Sequence, residues 1–341
     1  MIPRSDSIME TSMRILFLAA ALALPVLASP VWAQDKVVFG TDWKAQAEHG
    51  GFYQAVAAGL YAKRGLDATL RQGGPQINHT QLLAAGRVDF ALTSNAVLAM
   101  NAVREKLPLV AIAAIFQKDP QVLIAHAGQG NDRLADLKGK PIMIGSDTRV
   151  SSWLWLKARF GYGDDQIRPY TFNMAPFLAD KRAIQQGILG SEPFLLKQAG
   201  ADPAIMLLAD EGFPGYAALI STTTRLADDK PDLVQRFVDA TLEGWYGYLH
   251  GDPSAANALI KRDNPEMTDD LLAYGREAMI RHGIVDSGDT KELGIGAMTE
   301  ARWQSFHAAL SGAGVFPATV AWKDAYTPRF VNKRVGMEGR R

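Results

Sequence analysis

The chain has 341 residues, with 36 Lys+Arg balanced by 36 Asp+Glu, six histidines, no cysteine and 48% hydrophobic residues. That is enough length for two lobes with separate cores, and the composition of a folded protein rather than a disordered or collagen-like one. Balanced charge argues against nucleic acid or an anionic membrane surface as the main partner, and the lack of Cys excludes thiol catalysis, Cys-ligated zinc, iron–sulfur clusters and disulfides.

Met13-Arg14 opens an apolar run from Ile15 to Ala28, broken by Pro25 and followed by Val31-Trp32-Ala33. A basic start, a short apolar core and a small-residue exit predict a secretory signal cut after Ala33. Residues 1–33 are therefore expected to be removed on export to the periplasm, with Met13 as an alternative start.

From Lys36 onward, short apolar strands alternate with amphipathic helices. Strands are predicted at Lys36–Gly40, Leu66–Leu70, Val88–Leu92 and Leu109–Phe116, with helices after Phe52, at Gln81–Ala85 and at Ala96–Arg104. A second block follows, with strands at Val122–Ala125, Pro141–Gly145, Ile167–Phe172 and Ala204–Leu208. Helices are expected there at Ser151–Phe160, at Pro176–Gln186 and after Pro193. A strand at Tyr216–Ser221 then leads into four helices between Pro231 and Leu310.

Such alternation predicts an α/β protein of two lobes, each a mostly parallel sheet flanked by helices. The expected division is 34–120 plus 221–325 for the first lobe, 121–220 for the second, and a basic, mobile tail over 326–341. Pro120–Ala125 and Tyr216–Ser221 are expected to cross between lobes as hinge strands beside a central cleft. Ligands bind beyond the carboxyl ends of parallel strands, so the post-strand loops are where chemistry belongs.

No nucleophile elbow, zinc-protease helix or phosphate-binding loop occurs, and the histidines lack metal-ligand spacing. No catalytic residue, metal or cofactor is expected. What remains suits a small polar ring. Asp42-Trp43 follows the first strand, and Glu48-His49-Gly50-Gly51-Phe52-Tyr53 opens the first helix, where paired glycines would admit a ligand to free backbone N–H groups. Ser94-Asn95 begins another helix and suits capping equally well. Thr148-Arg149 and Ser151 offer hydroxyls and a cation, although Arg149 also reads as a solvated surface charge. Glu192 precedes Pro193 at a helix start, and Tyr216 is a further candidate.

The run Asp42-Trp43…His49-Gly50-Gly51-Phe52-Tyr53-Gln54-Ala55…Gly59-Leu60-Tyr61…Gly65-Leu66-Asp67 resembles the opening of periplasmic substrate-binding proteins of ABC importers. Gly86-Arg87-Val88-Asp89-Phe90-Ala91, Leu134…Leu137-Lys138-Gly139-Lys140 and Gln186-Gly187…Ser191-Glu192-Pro193-Phe194 extend the likeness in order. It is most similar to the SsuA/ThiY-like group, whose members include thiamine-precursor (formyl-aminopyrimidine) binders and sulfonate binders.

The resemblance implies a two-lobed periplasmic-binding-protein fold of type II and a non-enzymatic receptor that hands a small molecule to an inner-membrane ABC permease. It also implies that Trp43 stacks on a pyrimidine and Glu192 meets its ring nitrogens and amino group, with Tyr53 as an aromatic wall. Those binders carry Asn where this chain has Asp42. An acceptor-only carboxylate there favours a donor-rich or cationic ligand over a sulfonate. The related pyrimidine synthases require a reactive His and a Cys cluster, and Leu92-Thr93-Ser94-Asn95 carries neither.

Overall fold

The computed structural model describes residues 34–74 and 77–340; the expected signal at 1–33 lies outside them. Two five-stranded sheets organise the chain. The first has the order β2-β1-β3-β10-β4, built from β1 (Asp35–Gly40), β2 (Leu66–Arg71), β3 (Phe90–Asn95), β4 (Leu109–Phe116) and β10 (Ala217–Thr223). The second has the order β7-β6-β8-β5-β9, built from β5 (Gln121–His126), β6 (Ile142–Ile144), β7 (Ile167–Pro169), β8 (Ile184–Ile188) and β9 (Pro203–Leu207). One strand in each sheet runs against the rest: β10 is antiparallel to β3 and β4, and β5 to β8 and β9. The mostly parallel sheets expected from strand–helix alternation are present.

Strand β4 is buried along its whole length although it lies at a sheet edge. Its free backbone groups are covered by the carboxyl-terminal part of the chain, through a bridge from Ala111 to Tyr326 and another from Ala114 to Gly296. An unprotected apolar edge would invite pairing with another chain. The basic tail expected to be mobile is thereby corrected: Phe330 and Val331 are buried, and the Arg340 guanidinium pairs with Asp286 and donates to Lys291 O at 3.1 Å.

The first lobe's core is an aromatic column running from sheet to helix. Phe237 stacks on Phe90 at 3.9 Å and on Tyr61 at 5.3 Å, and Phe39 meets both Phe52 and Phe237 edge-on. The helix Pro231–His250 then presses against Gly50–Ala57 so closely that a Cβ on Gly244 would strike Gly51 O. Among the described residues no helix is long and apolar enough to cross a membrane.

The lobe boundary differs from the sequence expectation. All of β10 pairs within the first sheet, so the second passage between lobes ends near Tyr216, not at 220. The passages are the links 117–120 and 208–216 rather than the strands themselves. Arg302 straps them together: it donates to Gln117 Oε1 (2.9 Å), to Gln117 O and to Gly215 O (3.2 Å), while its guanidinium lies 4.1 Å over the Tyr216 ring.

A second difference concerns Pro176–Gln186, expected to be one helix. The helix covers only Ala175–Ala179, and Ile184–Ile188 is a central strand. Gln185 and Gln186 are buried there, so an interior strand reads as polar. Gln186 Oε1 repays its burial by accepting from Gly145 N at 2.6 Å.

Candidate functional site

The seam between the lobes is built from post-strand loops. From the first lobe, β1 delivers Asp42 and Trp43, and the following turn Ala47–His49 delivers Glu48 and His49. From the second, the segment after β7 supplies Tyr170 and Phe172, and the turn after β8 supplies Gly190 and Glu192.

An unbroken chain of contacts crosses this seam. The Trp43 indole faces the Phe172 ring at 4.5 Å, Phe172 meets Tyr170 at 5.1 Å, and Tyr170 Oη donates to Glu192 Oε1 at 3.3 Å. Glu192 Oε2 also accepts from Ile188 N at 2.8 Å, a bond that fixes the carboxylate at the start of its helix. On the first lobe, Asp42 Oδ1 lies 3.0 Å from His49 Nε2.

The seam is acidic. Burial works to raise the Asp42 carboxyl, but the hydrogen bond and charge of His49, with the Ser94 hydroxyl, outweigh it and hold the group below the usual carboxylate range. Glu48 behaves oppositely: burial, with the nearby charges of Glu192 and Asp42, pushes it up to about 7. Burial also raises Glu192. Asp119, in the first link, is pushed up to about 7 mainly by burial, and Asp147 is raised by burial and by Asp42.

The sequence-predicted residues divide in two. Asp42, Trp43, His49, Ser94 and Glu192 come together at the seam. The others do not present free ligand-binding groups there. Gly50 is buried, its N–H already donates to Ala47 O, and any side chain there would land on the Tyr248 ring, as one at Gly51 would on the Trp245 ring; the glycine pair serves helix packing. Tyr53 is 2% exposed and donates to Asp263 Oδ2 at 2.9 Å. It lines an outer recess of about 230 Å³ with Leu70, Leu259 and Arg262, not the seam. Asn95 caps the next helix by accepting from Leu98 N at 3.2 Å.

The hydroxyl cluster is likewise engaged internally. Thr148 Oγ1 accepts from Gln121 Nε2 at 2.6 Å, and Ser151 Oγ donates to Asp147 O at 2.7 Å. Arg149 is exposed and acts on Asp164, a surface carboxylate. Tyr216 packs under Arg302 and accepts from Thr299 N at 3.0 Å, which makes it part of the strap.

Sequence reasoning included Glu48 in the run that opens the first helix but gave it no role of its own, and it missed Tyr170 and Phe172. Glu48 directly precedes the His49-Gly50-Gly51 motif, so position alone marked it. Nothing local distinguishes Phe172 from a strand residue; only the opposing lobe gives it a role.

Comparison with known proteins follows the same lines. The NMT1/THI5-like family matches residues 46–256 of the chain. A riboflavin-binding protein, RibY, from Chloroflexus aurantiacus is 24% identical over 305 residues, 87% of this chain and 86% of that protein. A formylaminopyrimidine-binding protein from Halalkalibacterium halodurans is 24% identical over 265 residues, 75% of this chain and 79% of that protein. The solved alkanesulfonate-binding protein SsuA from Xanthomonas axonopodis pv. citri superposes with a TM-score of 0.63 at 16% identity, covering 87% of this chain and 99% of that one. Two α/β lobes joined by two short links, with post-strand loops lining the seam, are the periplasmic-binding-protein architecture, and with the match across the middle of the sequence they place this chain in the NMT1/THI5-like family.

Proposed function

We propose that the protein is an exported, non-enzymatic solute receptor of an ABC importer. It closes its lobes on a small, flat nitrogen heterocycle such as hydroxymethylpyrimidine or formyl-aminomethyl-pyrimidine, then presents the closed form to an inner-membrane permease. The observation that carries this reading is the aromatic–acidic seam, in which Trp43 and Phe172 offer π-faces and Glu192 and Asp42 offer acceptors. Stacking supplies grip, and charge-assisted hydrogen bonds to ring and amino N–H groups set orientation. Closure reports occupancy because the ligand touches both lobes.

The acidic seam weighs against a sulfonate: Arg149 faces solvent, and an anion would lie against the carboxyl groups of Asp42 and Glu192. A flavin remains a second reading, supported by the curated relative named for riboflavin. Its ring system is flat and carries an N–H donor, as the seam requires.

Native mass spectrometry of protein purified from cells identifies a retained ligand directly. Calorimetry with hydroxymethylpyrimidine, riboflavin and taurine then ranks the classes. Trp43→Ala and Glu192→Gln should each weaken binding by about 1–3 kcal/mol. Unchanged affinity in both variants removes the seam as the binding site.

A further inference from the structure

Glu48 is not explained by packing. Its side chain is buried, its residue only 6% exposed, and among the described residues its Oε1 has no hydrogen-bond partner. It points across the seam at Gly190 of the second lobe, where any side chain would land on Oε1. Asp42 and His49 from its own loop face it, as do Glu192 from the helix Glu192–Gln198, Tyr248 from Pro231–His250 and Tyr274 from Asp269–Arg281. His49 Nε2 is engaged by Asp42 while its Nδ1 is buried without a hydrogen-bond partner among the described residues, and Arg276, beside Tyr248, donates to the carbonyls of Tyr248 and Leu249. The charges of Glu192, from the opposite lobe, and of Asp42 both bear on this buried carboxyl, and among the nearby charges only His49 opposes them. A buried, unpartnered carboxylate costs stability unless a counter-charge arrives.

Resting on the receptor reading above, we infer that Glu48 is a specificity-determining residue that selects the ligand's charge. It pairs with a cationic N–H edge, of the amidinium or protonated amino-heterocycle class, that bridges it to Glu192 when the lobes close. A neutral isostere of the same shape leaves the pair uncompensated and is rejected.

The test uses a charge pair of flat probes, benzamidinium and benzamide, titrated near neutral pH into the wild-type protein, Glu48→Gln and Glu48→Asp. The wild type should prefer benzamidinium by about tenfold or more, from the charge-assisted bonds. In Glu48→Gln the preference should fall to about threefold or less as the charge is lost, while Glu48→Asp, which keeps the charge, retains most of it. Thermal melts establish that both variants are folded. An unchanged preference in Glu48→Gln, or no preference in the wild type (including no binding of either probe), overturns the inference. Hydroxymethylpyrimidine serves as a separate arm. If it fails to bind while the benzamidinium preference holds, the pyrimidine reading falls and the role of Glu48 stands; if it binds wild type and Glu48→Gln alike, the reverse is true.

Discussion

The indole of Trp43 and the phenyl ring of Phe172 meet across the seam between the lobes, 4.5 Å apart and inclined at 48°. Each covers the face the other would offer a ligand. A flat guest held between them needs about 7 Å, two contact distances of roughly 3.5 Å, so the rings must part for it to enter. Phe172 is 43% exposed and holds a φ of 60°, a backbone conformation unusual for an aromatic residue. Phe172→Ala should weaken binding of an aromatic ligand by about 1 kcal/mol, roughly fivefold, read from tryptophan fluorescence titrations. Equal affinities would assign Phe172 to the surface alone.

Stability should fall as pH rises from about 5 to about 8. Glu48 and Asp119 are both pushed up to about 7 by burial, from ordinary values of 4.5 and 3.8. Between those limits the folded chain holds protons that the unfolded chain has released, so raising the pH favours unfolding. For Glu48 the loss is complete just above pH 7 and amounts to about 3 kcal/mol at most. Asp42, held low, acts in the opposite sense and only at lower pH, where acid removes its pairing with His49. Melting temperatures of the empty protein should therefore be lower at pH 8 than at pH 5.5, and Glu48→Gln should flatten the slope. A flat wild-type profile would show that these carboxyls are solvated.

Arg302 holds both interlobe links, and burial lowers its pKa despite the nearby Tyr216 and Asp289. Arg302→Ala should cost at least about 2 kcal/mol in urea unfolding, because it leaves the carbonyl of Gly215 and the amide of Gln117 without their charged donor. Arg302→Lys, lacking the planar fork, should recover only part of this. Recovery of the full wild-type stability by Lys would reduce the strap to simple charge.

Gly51→Ala tests the packing role of the glycine pair. The added methyl must displace the Trp245 ring, and overpacking of this kind costs about 1–3 kcal/mol. Chemical denaturation of the unliganded protein measures it. A variant of normal stability that fails to bind ligand would restore the backbone-access role expected from sequence.

Much of the architecture was legible because its signals are local. Runs such as Leu109–Phe116 and Val122–Ala125 are apolar throughout, as buried strands are, and the long helix Pro231–His250 begins at a proline. Strand β8 was not legible, because its buried Gln185 and Gln186 find their hydrogen bonds with Tyr170 and Gly145, just beyond β7 and β6, which no window of sequence reveals. The site divides the same way. Asp42, Trp43 and Glu192 stand at strand ends and helix starts, where position alone recommends them. Phe172 and Glu48 acquire meaning from the opposite lobe, and Tyr53 and Tyr216 lose theirs once Asp263 and Arg302 claim them.

The notch that Gly50 and Gly51 leave is filled by Trp245 and Tyr248, residues supplied from far downstream, whereas every strand of the second sheet lies between Gln121 and Leu207. As the polypeptide is synthesised, the middle stretch is complete before the helix that fills the notch exists. Assembly order is thereby biased toward a self-contained centre, followed by two flanks that can finish folding only on each other.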